Sequence, residues 1–258
     1  MFQSIFAAEG KDISEILREA LSPEKTEIFG MKLGPGVISA FIVVAIVAVL
    51  CLLIRFVFLR EYKAVPKGMQ LVLEKVVSFF EKMAKDSTHS YSKYIAPVIL
   101  GVGAYIFLGT VIEVVGLKPI FSDLNAGLAI GFIAFMTIQI LGIKKKGVGG
   151  RLKAQFQSEK GAGGIMVGAV KTLSDFILPF SMALRLYGSI LSGMLIADLL
   201  YIVVDSLLSL TIGVSIWAVP IGLVVAGVIG TVLTVFHALI QTYVFGTLVS
   251  LFTGEVIE

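Results

Sequence analysis

The sequence predicts an all-α membrane protein: five transmembrane helices, one interfacial amphipathic helix, and a long tilted helical hairpin at the C-terminal end. Three observations predict it. Hydrophobic residues fill 57% of the 258 positions and charged residues only 15%, with a mean hydropathy of +0.97. A soluble domain carries about 45–50% apolar and about 25% charged residues, so this chain has too few polar side chains to cover itself in water. The apolar residues also fall in unbroken runs, and about 20 in a row cross a bilayer as one helix. Finally, Lys and Arg gather in alternate connecting segments, the asymmetry that orients polytopic proteins. A β-barrel is excluded, because its strands are short and alternate apolar with polar.

The elements follow in order. Residues 1–36 read as an extracytoplasmic segment and 37–258 as the membrane domain. The first ten residues lack the basic start and apolar core of a signal peptide and the Arg-rich character of a transit peptide. The first span is therefore expected to act as an uncleaved insertion signal. Residues 11–27 are polar and are expected to form a short amphipathic helix outside the bilayer. The first span covers about 37–58, with Arg55 near its end, where it can snorkel. The lone cysteine, Cys51, lies inside this run as a packing residue. A basic loop follows, broken by Pro66.

Over 69–86, Leu73, Val76, Val77, Phe80 and Met83 recur at helical spacing, and Glu74, Lys75, Glu81, Lys82 and Lys85 fill the other face. That pattern is an interfacial amphipathic helix; a helix packed on other protein explains it equally well. The second span covers 94–115 and the third 124–143. The segment between them, 116–123, is short. The segment after the third, with Lys144, Lys145, Lys146, Arg151, Lys153 and Lys160, is the most basic loop. Basic loops belong in the cytoplasm, which puts the N-terminus outside and, after five spans, the C-terminus inside.

The last two apolar runs, 164–205 and 212–252, are unusually long. At 1.5 Å per residue each would measure about 60 Å, twice the roughly 30 Å hydrocarbon core. Gly188, Gly193, Gly222, Gly227 and Gly230 would permit breaks, but no polar turn cluster divides either run. Two long tilted helices are expected. No internal repeat is evident, against the inverted-repeat plan of many transporters.

Chemistry centres on Arg185, within Leu178-Pro179-Phe180-Ser181-Met182-Ala183-Leu184-Arg185-Leu186-Tyr187-Gly188. An arginine in mid-membrane costs at least about 2.5–3.5 kcal/mol, so intramembrane ionisable groups are functional candidates by default. The plain alternative is a structural arginine paired with a carbonyl or an acid. At 100° per residue, Lys171, Ser174, Ser181, Arg185, Ser189 and Ser192 fall on one stripe of their helix. Gly227, Gly230, Thr234, His237 and Gln241 form a second stripe on the last helix. Such stripes allow close helix approach and interhelical hydrogen bonds; for the serines alone, ordinary packing suffices as an explanation.

At these residues the chain resembles subunit a of bacterial F-type ATP synthases. The stretch 179–188 is similar to that family's arginine signature and 240–245 to its last-helix motif, while Tyr94-Ile95-Ala96-Pro97 and Ser122-Asp123-Leu124-Asn125 lend support. The resemblance extends over nearly everything from Pro66 onward. It implies five spans, a cytoplasmic-side interfacial helix, and a tilted hairpin packed against a ring of c subunits. It also implies a stator subunit in a bacterial inner membrane, with peripheral-stalk b subunits as further partners, moving H⁺ or Na⁺ through two offset half-channels. In that scheme each c-subunit carboxylate is neutral when facing lipid and ionises opposite Arg185.

The chain departs from the family pattern in places. Ser189 stands where asparagine is usual, Met194 where many members have an acid, and Thr234 where that acid's partner often lies. Asp198 and His237, each one turn away, are candidates as displaced replacements. If the hairpin is antiparallel with Arg185 level with Gln241, residue counting puts Ser189 level with His237. Asp198 then lies about 9 Å further out, too far for a direct pair but within reach of a water-linked path. Alternatively, Asp198 is a solvated acid at the outer end. By the same resemblance Glu113 and Asp123 match positions near the outer entry, and Lys171, Ser174 and Asp175 lie at the inner start of the hairpin. Acids at a membrane surface, and an i,i+4 ion pair, are the ordinary explanations.

Gly147 to Gly150 and Gly161 to Gly164 lack the Lys-Ser/Thr ending of a phosphate loop. No nucleotide site, cofactor site, metal cluster or nucleic-acid surface is expected, and ATP chemistry would belong to a separate catalytic head. Two other functions remain open from the residues: a self-contained ion-coupled transporter using Arg185 as an anion site, and a membrane assembly scaffold.

Overall fold

The computed structural model describes residues 26–28, 31–33, 35–58, 68–88, 91–156, 162–212 and 218–257. Two three-residue strands, β1 (Thr26–Ile28) and β2 (Met31–Leu33), pair antiparallel with Glu27 opposite Lys32. All other regular structure among the described residues is helical: α1 (Pro35–Leu53), continued by a π-helical turn Ile54–Phe58; α2 (Met69–Thr88); α3 (Ser92–Val111), followed by the 3₁₀ turns Ile112–Val115 and Ile120–Ser122; α4 (Leu124–Phe156); α5 (Ala162–Ile212); and α6 (Ala218–Ile257). Among the described residues, five segments are long and apolar enough to cross a membrane: Gly36–Phe56, Ser92–Val115, Leu124–Gly147, Gly168–Gly193 and Gly227–Ile257. The fold class is thus the one read from the sequence, and α5 (51 residues) and α6 (40 residues) each run unbroken.

Two local expectations are corrected and one lies mostly outside the described residues. The amphipathic helix expected over 11–27 lies outside the described residues except for Thr26 and Glu27, which belong to β1; β-branched Thr26 and Ile28 suit a strand. The basic segment after the third span is helical as far as Phe156, not a loop. Lysine and arginine are good helix formers, and the break comes only at Gly147, where φ 69° and ψ 163° suit a residue without a Cβ. The last run also begins later, because Ile212 ends α5 and α6 starts at Ala218.

The described residues fall into two compact units. One comprises those within Met1–Val44, Ile106–Ala126 and Leu186–Gln241. Its interior includes Val43, Ile106, Ile120, Phe121 and Ile190. The segment expected as a plain outer loop instead tucks Ile120 and Phe121 fully out of solvent, with Ile120 against Gly109 of α3. Apolar burial at about 25 cal/mol per Å² explains why this short link folds back.

The other unit comprises Ala45–Tyr105, Gly127–Arg185 and Thr242–Glu258. Here α4 lies against α5 through Gly127 and Gly131, one turn apart. A Cβ on Gly127 would come 3.0 Å from the Ala183 carbonyl oxygen, and one on Gly131 would collide with the Pro179 carbonyl. Small residues at this spacing bring two backbones close where lipid supplies no hydrophobic drive between helices. Phe135 and Phe176 add a ring contact at 6.2 Å on the same seam. The C-terminal part of α6 packs on α2 and α3: Gly246 faces Met83 and Ile99, and Gly254 faces the Ser87 carbonyl. The buried Thr242 hydroxyl donates to the Gly103 carbonyl at 3.4 Å.

Helix α2 therefore buries Gln70, Ala84 and Thr88 against its own unit and leaves Val72, Val76 and Phe79 exposed. One edge of the helix thus packs on protein and the other remains open.

Candidate functional site

Arg185 belongs to the helix that the glycine seam holds. Pro179 and Ala183, the residues pressed against Gly131 and Gly127, lie one and a half turns and half a turn before it. Leu178, Met182 and Ala183 are buried on the packed side. Leu173, Phe176, Ile177, Phe180 and Leu184 form an exposed apolar side. The Arg185 side chain is exposed at the border of the two, and Ser174, Ser181, Gly188 and Ser192 are exposed along the same strip. A guanidinium thus emerges from a surface of small residues within the candidate span Gly168–Gly193. It makes no ion pair or hydrogen bond with another described residue. Toward the start of α5, Lys171 is exposed and Asp175 half-buried. Lys171, Ser174, Asp175 and Arg185 share one unit.

The remaining candidates share the other. Ser189 is half-buried, and its hydroxyl donates to the Leu186 carbonyl at 2.9 Å; Ser192 does the same to Ser189 at 2.9 Å. Such back-bonding satisfies a hydroxyl in an apolar setting and still leaves it able to accept. On α6, Gly230 and Gln241 are buried and Gly227, Thr234 and His237 half-buried, while Val228, Val232, Phe236 and Leu239 are exposed on the opposite side. The polar stripe of α6 therefore faces inward, whereas most of the stripe of α5 faces outward.

His237 Nε2 is enclosed and has no hydrogen-bond partner among the described residues. A buried polar atom left unpaired costs about 1–3 kcal/mol, so this nitrogen calls for a partner that the described residues do not supply. Glu113 and Asp123 are half-buried on either side of the Ile120–Phe121 plug. The Glu113 carbonyl accepts from the Gly116 N–H at 2.9 Å, and the Asp123 carbonyl accepts from Ala126 at 3.1 Å as α4 begins. Asp198 lies on α5, with its side chain outside the described residues.

Sequence reasoning missed two polar groups. Thr242 stands beside Gln241 in a motif already singled out, and its buried hydroxyl ties α6 to α3. Ser250 is buried with its hydroxyl unpartnered among the described residues, and an ordinary serine in an apolar helix gave no signal. Among the described residues no group of three or more His, Cys, Asp or Glu side chains is placed to hold a metal ion.

Residues 38–254 match the family model described as ATP synthase A chain. Curated relatives agree. The chain is 28% identical to ATP synthase subunit a of Halorhodospira halophila, over 70% of this chain and 69% of that one. It is 28% identical to ATP synthase subunit a of a Pseudomonas fluorescens strain, over 63% of this chain and 66% of that one. It is 23% identical to ATP synthase subunit a 3 of Pelobacter propionicus, over 90% and 93%. The chain thus spans just under two thirds of the Pseudomonas relative and nearly all of the Pelobacter one. With five candidate spans and a family match over 38–254, this multi-pass membrane protein belongs to the ATP synthase A chain family.

Proposed function

We propose that the chain is the stator subunit of the membrane sector of a rotary ATP synthase, moving H⁺ or Na⁺ between two half-channels past Arg185 and a ring of c subunits. The observation that carries this reading is the exposed guanidinium on a membrane-spanning helix, without an acid among the described residues to pair with it. In hydrocarbon such a charge needs an anion, and the exposed small residues around it leave room for a partner helix at close range. A carboxylate carried on that helix is neutral in lipid and ionises when it meets Arg185. The fixed positive charge then keeps an ion from crossing straight between the half-channels. We assign the outer path to Glu113, Asp123, Asp198, Ser189, Thr234, His237 and Gln241, and the inner path to Lys171, Ser174 and Asp175. Peripheral-stalk b subunits would hold the chain against the torque of the ring.

The test is reconstitution. The full chain alone in liposomes should transport neither ions nor solutes, and adding the ring should make the vesicles conduct ions passively. Solute uptake by the chain alone would favour the self-contained transporter.

The proposed setting is a bacterial inner membrane, with residues 1–36 outside and the C-terminus in the cytoplasm. The Lys/Arg asymmetry supports this orientation. A reporter fused after Glu258 should be active on the cytoplasmic side and one inserted near Ser122 on the outer side; an external C-terminus would refute the five-span arrangement.

A further inference from the structure

We propose that the Lys-rich end of α4 and the adjoining start of α3 form a binding site for the phosphate headgroups of anionic phospholipids. Lys93, Tyr94, Lys144, Lys145 and Lys146 build it.

Lys93 and Tyr94 lie in the first turn of the span Ser92–Val115, and Lys144 to Lys146 in the last turn of the span Leu124–Gly147. These two helix ends meet: the Lys144 ammonium sits over the Tyr94 ring, 5.7 Å from its centre. Lys93, Tyr94, Lys144 and Lys145 are exposed. Among the described residues no acid pairs with any of the four lysines. Four lysines thus lie at one end of a helix pair with no acid among the described residues to pair with them, an arrangement that an external anion would stabilise.

The place selects the anion. The site lies where two apolar spans end, at the depth of headgroups, and Tyr91 and Tyr94 pack there with ring centres 6.4 Å apart. Tyrosine is enriched at that level because its ring is apolar and its hydroxyl wet. After the turn at Gly147, the helical segment resumes as far as Phe156. A left-handed break just past a polybasic helix end lets the following turns leave the span axis. Basic clusters immediately beyond a span attract acidic lipid, and Tyr94 holds one of the lysines in place. This inference needs only that α3 and α4 span the membrane, so it stands apart from the stator reading.

The experiment is native mass spectrometry of the full chain released from nanodiscs of equal phosphatidylglycerol and phosphatidylcholine. Phosphatidylglycerol should be retained in clear excess. Retention should fall about fivefold for each lysine changed in Lys144→Gln, Lys145→Gln and Lys146→Gln. It should weaken as salt is raised toward 1 M, where screening reaches about 3 Å. Tyr94→Phe should keep the preference and Tyr94→Leu should reduce it. Should the triple variant fail to insert, the exposed single variants Lys93→Gln and Lys145→Gln carry the same test. Equal retention of the two lipids by the native chain would overturn the proposal, as would an undiminished preference in inserted lysine variants. Full displacement by 10 mM inorganic phosphate would show a small-anion site instead and would also overturn it. No readout depends on ATP, on the ring or on Arg185.

Discussion

Replacing Arg185 with alanine is expected to abolish ATP synthesis driven by an ion gradient while leaving ATP hydrolysis by the detached catalytic head unchanged. The reasoning is electrostatic. A carboxylate brought to the α5 surface without a counter-charge keeps its ion, because ionising it in hydrocarbon is prohibitive. At a penalty of about 2.5–3.5 kcal/mol for an intramembrane charge, the exchange slows by roughly 100-fold or more, since each 1.36 kcal/mol is tenfold. Without the barrier charge, ions can also leak between the half-channels, so passive conductance of the assembled membrane should rise. Arg185→Lys should fail badly as well. A lysine can release its proton in an apolar site and lacks the planar fork that meets a carboxylate with two hydrogen bonds. The exposed position of Arg185 makes the test clean, because its side chain makes no ion pair or hydrogen bond with another described residue that either variant would remove. Near-normal synthesis in Arg185→Ala, with the subunit present in the membrane at native level, would remove the mechanism proposed above.

Most of the fold was legible because the bilayer permits few solutions. A run of about 20 mainly apolar residues in lipid has to be a helix that satisfies its own backbone, which accounts for the five spans, even the fourth with its Arg185. The unbroken course of α5 and α6 followed from what was missing, a polar turn. What stayed hidden was settled by single contacts rather than by periodicity. The link 116–123 has the composition of a loop, and only folding shows Ile120 and Phe121 buried in it. Lysines 144–146 mark a boundary equally well as loop or as helix end, and the position of Gly147 decides which. The Gly127–Gly131 pair had a readable four-residue spacing, yet the partner at Pro179 and Ala183 depends on tertiary structure. Of the two polar stripes, sequence gave the angular position within each helix and not the direction each one faces. For α5 that direction bears on the proposed function, because an outward-facing arginine is open to a partner from another chain and an inward-facing one is not.

The inward stripe of α6 carries the second large effect. His237→Ala is expected to reduce gradient-driven ATP synthesis about tenfold or more, with normal expression, assembly and membrane tightness. His237 Nε2 is enclosed without a described hydrogen-bond partner, while Thr234 and Gln241 lie within about one turn on the same face. If water reaches that ring nitrogen, it satisfies the atom, and water beside an imidazole is a route for protons or a hydration site for a cation. A positioned acid–base group is worth about 10²–10⁴ in a proton-transfer step; water can take over part of that role, so the loss here should lie below that range. His237→Gln should be milder than His237→Phe, which fills the same space with no polar atom. Asp198→Ala should cost less than His237→Ala, because nearer the channel mouth more waters can substitute, and Asp198→Asn should cost less than Asp198→Leu if a polar relay rather than a charge is needed there. The packing alternative predicts something different: His237→Phe would be tolerated at least as well as His237→Gln, and thermal stability of the assembled complex would change more than turnover. If His237→Ala and Asp198→Ala both support synthesis at native rates across external pH, the displaced-pair assignment fails. The outer path would then rest on Glu113 and Asp123, half-buried residues that flank the buried Ile120 and Phe121 in the chain and are the next groups to replace.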